Sequence, residues 1–228
     1  MIQSYALAAL MALAVGIPLG IALIPLLRKM KFGQTIREEG PKAHLAKTGT
    51  PTMGGLIFIT AVTGIILLRG DFGPQVRLFA LLFLGLGAVG FSDDYLKIIR
   101  KKNLGLRAWQ KLLGQFAVAL AGAWYAGAAF GTVILIPGMA QSINLGAAYF
   151  PFVVFVILAL SNGINLTDGL DGLAGSVTVL VAVTIGIISY QMEAHSSGHL
   201  ALILAGGLLA FLYFNRYPAK VFMGDVGS

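Results

Sequence analysis

Seven long apolar stretches constrain this chain more than anything else in it. They lie near Tyr5–Leu27, Leu56–Leu68, Leu78–Phe91, Leu112–Phe130, Tyr149–Ile164, Leu173–Tyr190 and Leu200–Phe214. A helix advances by only about 1.5 Å per residue, so crossing the hydrocarbon takes about 17–25 mostly apolar residues. Inside a bilayer each backbone N–H and C=O must be satisfied within the protein, which turns such runs into helices. Composition agrees: 57% of the 228 residues are hydrophobic, 11% are charged and the mean hydropathy is +0.86. A soluble domain carries about 25% charged residues. The expected fold is an all-α polytopic membrane protein of about seven spans, forming a single domain over residues 1–228. The 30 glycines let helices approach closely. With no cysteine, disulfides and thiolate metal sites are excluded.

The first run is too long for the apolar core of a signal peptide and lacks a basic leader, so it reads as a span, with Pro18 and Pro25 as tolerated kinks. Seven spans place alternate loops on opposite sides, and the basic residues divide accordingly. One set of loops holds Arg28, Lys29, Lys31, Arg37, Lys42, Lys47, Lys97, Arg100, Lys101, Lys102, Arg107, Lys111, Arg216 and Lys220, while the other holds only Arg69 and Arg77. Positive charge marks the cytoplasmic side, which puts the N-terminus outside. The net charge of +7 is therefore a topology signal, not a nucleic-acid footprint. Seven of the nine acids share the basic side, though acids contribute little to topology. Chemistry is expected on that face. On the other side, Gly131–Ala148 reads as a short hairpin or surface turn. His195 and His199 have metal-pair spacing, but they flank a Ser-Ser-Gly turn and read as solvated.

Four polar stretches on the basic side carry unusual residues. Lys47 to Gly55 (Lys-Thr-Gly-Thr-Pro-Thr-Met-Gly-Gly) leads hydroxyls and glycines into a helix N-terminus, which suits an anion or a plain cap. Asp93-Asp94-Tyr95-Leu96-Lys97 closes an uncharged run, and acids at a membrane edge are costly enough to be read as functional. On a continuing helix the two would point about 100° apart and would not grip one ion face-on. An Asp93–Lys97 salt bridge is the simpler local reading. Arg100, Lys101, Lys102, Arg107 and Lys111 follow, a basic run suited to lipid headgroups or a pyrophosphate. Ser161–Leu173 holds Asn162, Asn165, Asp168 and Asp171 with no basic residue. Glycine after each acid permits a sharp turn, and the amides suit a nucleobase or sugar. Helix capping by Asp171 accounts for one of these four. Last, Asp225 lies between glycines in Met223–Ser228. Acids from separate loops, with lysines near, suit magnesium-assisted phosphoryl transfer at a membrane surface.

Taken together and in order, these stretches resemble the phospho-N-acetylmuramoyl-pentapeptide-transferase family, part of the polyprenyl-phosphate N-acetylhexosamine-1-phosphate transferases. The matching residues run from Arg37-Glu38-Glu39-Gly40-Pro41-Lys42-Ala43-His44 through Gly49–Gly55, Asp93–Lys97, Asn162-Gly163 with Asn165–Ala174, and Met223–Ser228. The resemblance implies transfer of phospho-MurNAc-pentapeptide from UDP-MurNAc-pentapeptide to undecaprenyl phosphate, giving lipid I and UMP, with Mg2+ as cofactor. It implies Asp93, Asp94 and Asp225 as the catalytic acids, with Asp225 and Asp94 on the metal. Asp93 is implied to orient or deprotonate the lipid phosphate. Lys47, Thr52, Lys97, Lys102, Lys111, Asn162, Asn165, Asp168 and Asp171 are the implied substrate contacts. Direct attack and a covalent aspartyl intermediate fit these residues equally. The implied location is the bacterial inner membrane, multi-pass, with the site facing the cytoplasm and the bilayer as a partner. A homodimer stays open.

Family members continue past Gly-Asp-Val-Gly-Ser through roughly three more spans, about ten in all, each of bilayer length. A histidine-rich loop lies in that part, so a chain ending at Ser228 is expected to be inactive. The nearest rival is a sister transferase that uses UDP-N-acetylglucosamine. From another class, a transporter would place its acids at the bilayer midplane, whereas here they sit at span ends and in loops.

Overall fold

The structure is a computed structural model that describes residues 2–30, 49–100, 105–136 and 141–228. These form α1 (Ile2–Lys29), α2 (Gly55–Arg69), α3 (Pro74–Arg100), α4 (Ala108–Phe130), a β1–β2 hairpin (Val133–Leu135 and Ser142–Asn144), α5 (Tyr149–Thr167), α6 (Leu173–Gln191) and α7 (His195–Asn215). All seven expected spans appear as helices. Six are long and apolar enough to cross a membrane; α2, at 15 residues, is shorter. The expected hairpin is present, antiparallel, with Ile134 opposite Ile143.

The short α2 survives because it is enclosed by protein. Ile57, Ala61, Val62 and Ile65 are all at most 1% exposed. The helix stops at Gly70, whose φ of 67° lets its N–H turn back to the Leu67 carbonyl. The central post of the bundle is α7. In its most apolar stretch 61% of residues are buried, against 11–28% in the other five spans. Small residues make that possible: a Cβ on Gly206 would lie 2.1 Å from the Ala9 carbonyl oxygen, and one on Gly16 would lie 2.5 Å from the Ala210 Cβ. These contacts seat α1 against α7 backbone to backbone. On the other side of the molecule α4 lies between α3 and α5, with Gly85 facing Val118 and Gly122 facing Leu82.

Two helices run further than the hydropathy pattern indicates. Past Phe91, α3 continues through Asp93, Asp94 and Lys97 to Arg100, with no glycine or proline after Gly90 to stop it. Likewise α5 continues through Ser161, Asn162 and Asn165 to Thr167. What reads as polar loop is thus partly helix end, and only Asp168–Gly172 turns between α5 and α6.

A mostly apolar cluster joins the bundle to the polar loops. Met53, Val221, Met223 and Val226 pack with Ile24, Ile57, Phe58, Ala174, Leu208, Phe211 and Phe214. The backbone reinforces it: Gly54 and Gly55 donate to the Phe222 and Met223 carbonyls at 2.7 and 2.9 Å, and Phe222 donates to Pro51 at 2.8 Å. The segment entering α2 and the segment after α7 are therefore held edge to edge, far apart though they are in sequence.

At the opposite end the two histidines are packed, which corrects the solvated reading. The Tyr5 hydroxyl shares a 2.8 Å hydrogen bond with His195 Nδ1. The His199 ring stacks on the Tyr5 ring at 4.0 Å between centroids. With α7 beginning at His195, the supposed turn is its first helical turn, and a tyrosine from α1 occupies the space between the rings. Neither histidine belongs to a group of three metal-ligating side chains among the described residues.

Candidate active site

The end of the bundle opposite those histidines gathers the acids. Asp93 and Asp94 sit 4% and 2% exposed on α3. Asp225 reaches them from the loop after α7 because α3 has Gly90 beneath it: a Cβ there would lie 1.8 Å from the Asp225 carbonyl oxygen. One ligand oxygen from each of Asp93, Asp94 and Asp225 lies within 4.8 Å of the others. Adjacent residues on a helix diverge, as expected from the 100° step, yet here both carboxylates reach one centre, because Asp225 completes it from outside the helix.

Each acid is fixed by donors from elsewhere in the chain. The Leu106 N–H donates to Asp93 Oδ1 at 2.7 Å, and Gly105 beside it closes over the same oxygen. The Val226 N–H donates to Asp94 Oδ2 at 3.0 Å. Lys97 lies among all three, 2.6 Å from Asp93 Oδ2, 3.5 Å from Asp94 Oδ1 and paired with Asp225 Oδ2. The expected Asp93–Lys97 bridge exists, as one edge of a larger network. Lys111 Nζ and Asn165 Nδ2 both bond Asp225 Oδ1, at 2.9 and 2.6 Å. Asn165 also donates to the Ser228 hydroxyl at 2.7 Å. Thus α3, α4, α5 and the final loop all converge on Asp225.

Electrostatics separates two of the carboxylates outside the spans. Burial alone would push Asp225 up, but hydrogen bonds with Asp93, Lys97 and Lys111 outweigh it and hold Asp225 well below the usual carboxylate range. Burial pushes Asp168 up to about 7, aided by the charges of Asp225 and Asp94 and opposed by a hydrogen bond with the Gly224 backbone. At neutral pH Asp225 is a permanent anion, whereas Asp168 is divided between acid and carboxylate.

The donor set fits a hard divalent cation. Three carboxylates stand against two lysines, and hard cations take carboxylate oxygens. Two further features mark the same place. The Thr52 hydroxyl is buried with no hydrogen-bond partner among the described residues, which costs about 1–3 kcal/mol. At Gly224, with φ of 77°, a Cβ would lie 2.5 Å from Asp94 Oδ2 and 2.8 Å from Thr52 Oγ. Met53, also at positive φ (71°), turns the chain there. The sequence thus spends a glycine and a strained residue on keeping this cradle open.

The remaining residues from the sequence reading fall as follows. Asp168 faces Asp225 and Asp94 across the Gly224 backbone. Asp171 accepts the Ala219 N–H at 3.0 Å, tying its loop to the final segment; the residue immediately before α6 is Gly172. Asn162 points away from the acids and donates to Gln115 Oε1 and to the Leu158 carbonyl, at 3.1 and 2.8 Å. Lys47 and Lys102 lie outside the described residues. Asn215, 2% exposed, was not singled out by the sequence. It accepts the Gly172 N–H and donates to the Val221 carbonyl, each at 2.9 Å, so one side chain fastens both loops. A buried polar residue closing an apolar run was its only sequence signal.

The bundle gathers buried carboxylates and lysines at one end, where a phosphoryl or glycosyl transferase would need them, and a family model described as glycosyl transferase family 4 matches residues 76–228. A second, described as phospho-N-acetylmuramoyl-pentapeptide-transferase signature 1, matches residues 47–59, which include Thr52 and the start of α2. Curated proteins named phospho-N-acetylmuramoyl-pentapeptide-transferase are similar along nearly the whole chain. One from Thermoanaerobacter sp. is 44% identical over all of this chain and 72% of its own length. One from Heliobacterium modesticaldum is 46% identical over 99% of this chain and 71% of its own. One from Clostridium perfringens is 52% identical over 92% of this chain and 67% of its own. The chain belongs to the phospho-N-acetylmuramoyl-pentapeptide-transferase family.

Proposed function

We infer that the protein transfers phospho-MurNAc-pentapeptide from UDP-MurNAc-pentapeptide to undecaprenyl phosphate, giving lipid I and UMP. The observation that carries this reading is the convergence of Asp93, Asp94 and Asp225, braced by Lys97 and Lys111, in a chain 44–52% identical to enzymes of that name. Their shared name favours the muramoyl substrate over UDP-N-acetylglucosamine and over transport.

In this reaction an oxygen of the lipid phosphate forms a bond to the sugar-linked phosphorus. The bond from that phosphorus to the bridging oxygen breaks, and its electron pair leaves with UMP. Asp225 and Asp94, with Asp93 beside them, would hold the magnesium ion, which would supply positive charge against the pyrophosphate. Asp225 suits that role because its neighbours keep it ionised. Lys97 and Lys111 bring further positive charge to the same oxygens, where preorganised charge is most effective. Asp93, flanked by the Leu106 N–H and Lys97, orients the lipid phosphate. Asp168, part protonated at neutral pH, can donate a hydrogen bond to an acceptor on the nucleoside, and Thr52 offers its hydroxyl at the cradle.

Charge supports one membrane orientation. Arg28, Lys29, Arg100, Arg107, Arg216 and Lys220 lie at the acid-rich end and Arg69 and Arg77 at the other, which supports a site facing the cytoplasm, and the bacterial relatives support a bacterial cell membrane.

The test is UMP release at the full length of the relatives, with and without magnesium, offering UDP-MurNAc-pentapeptide and UDP-N-acetylglucosamine separately. Magnesium-dependent release from the first alone is expected. Release only from the second, or from neither, overturns the reading.

A further inference from the structure

Below the acid cluster lies a second polar layer that the reaction does not use directly. Gln115 on α4 is 5% exposed, and Ser161 on α5 is 7% exposed. Gln115 Nε2 donates to Ser161 Oγ at 3.2 Å, and Gln115 Oε1 accepts from Asn162 Nδ2 at 3.1 Å. The amide is therefore used at both ends, and it is the side chain through which α4 and α5 are hydrogen-bonded in this layer. Elsewhere the two helices meet through Ala119, Ala123, Val154 and other apolar side chains. Apolar contact alone leaves neighbouring membrane helices free to slide or rotate, because lipid is as apolar as leucine. A buried polar pair penalises such movement, since any slip strands an amide in hydrocarbon.

The position of this layer matters. Gln115 is one turn below Lys111 on α4, and Ser161 is one turn below Asn165 on α5. Lys111 and Asn165 are the two residues that meet on a single oxygen, Oδ1 of Asp225. Two donors from two helices share one acceptor best when the helices keep their register, most strictly for the short Asn165 side chain. We propose that Gln115 is a positioning residue: by clasping Ser161 and Asn162 it locks α4 to α5, so that Lys111 and Asn165 together hold Asp225 for the reaction.

This inference rests on the proposed transferase activity, but its test also reads the helix register without activity. The variant is Gln115→Leu, similar in volume and at home in an apolar helix. Partners that orient ligand side chains typically matter about 10–100-fold, so kcat should fall at least about tenfold. The KM for the nucleotide sugar should stay within about twofold, because Gln115 is buried and its amide is taken up by Ser161 and Asn162. In a Lys111→Ala, Asn165→Ala background, followed under single-turnover conditions, Gln115→Leu should cost less than about twofold more. Unchanged kcat, parallel changes in kcat and KM, or an undiminished loss in that background would overturn the proposal. These 228 residues hold no cysteine, so spin labels can be placed through cysteines introduced at Trp109 and Leu166, with any cysteine elsewhere in the full-length protein replaced; both positions are exposed near the site ends of α4 and α5. Gln115→Leu should shift or broaden their distance distribution, and an unaltered distribution overturns the clasp. Should the parent protein release no UMP, the activity reading fails by itself, and the label distances decide the clasp.

Discussion

The two ends of the bundle carry polar groups of similar kind but solve them differently. At the histidine end several hydrogen bonds among the described residues are local. Asp71 accepts the Gly73 N–H two residues on, Arg77 donates to the Phe72 carbonyl five residues back, and His199 bonds the His195 carbonyl four residues back. The Tyr5–His195 bond and the stack of Tyr5 on His199 are long-range ties there, joining α1 to α7. At the acid end the partners are 60 residues apart for Asn165 and Asp225, 114 for Lys111 and Asp225, and 132 for Val226 and Asp94. Local contacts finish a helix end whatever surrounds it. Long-range contacts between charged groups exist only when several helices are in register, and burying those charges is costly unless they are paired. One end is capped; the other is assembled.

Replacing Asp225 tests the assembled end most severely. Asp225→Asn keeps the shape but removes the anion that Lys97, Lys111 and Asn165 all address. UMP release should fall by about three orders of magnitude or more, with magnesium-dependent nucleotide binding weakened in calorimetry. Near-normal turnover would place the reaction elsewhere. Next comes Gly90→Ala. Its Cβ would collide with the Asp225 backbone and push the acid off by about an ångström, a displacement worth about 100-fold in rate. The matched control is Gly64→Ala, where nothing lies within 4 Å, so activity should hold and helix α2 gain up to about 1 kcal/mol. Equal losses from both glycines would erase the distinction. The smallest effect belongs to the capped end. Tyr5→Phe removes the hydroxyl bonded to His195 but keeps the ring on His199. Thermal unfolding in detergent should show a loss of about 1 kcal/mol, with UMP release within about twofold of the parent. A large fall in activity would mean the two ends are coupled through α1 and α7.

Much of this molecule is legible from its residues alone. Apolar runs of bilayer length dictate helices because the backbone has no other way to satisfy itself in hydrocarbon. The spacing of those runs located all seven helices, the hairpin between α4 and α5, and the loops where acids and lysines gather. Hydropathy is blind to where a helix stops once polar residues begin, so the ends of α3 and α5 read as loop although nothing in them breaks a helix. Residues whose role is contact between helices were equally hidden. Gln115 and Asn215 are single amides in apolar surroundings, with no motif to announce them. The cradle at Gly224 depends on what a Cβ would strike, which no spacing encodes.

The chain's own order determined the inventory: how many spans, which residues carry charge, and which stretches carry the chemistry of phosphoryl transfer. Periodicity and transfer free energy act along the chain, so they can be read along it. Only the tertiary structure decided which of those groups meet. Asp93 and Asp94 diverge on their helix and converge on Asp225 because Gly90 lets a distant loop lie against α3. Asn165 joins Asp225, while Asn162, three residues earlier, turns to Gln115. Such choices depend on distances between segments 47 to 132 residues apart, and those distances are set by how the helices pack.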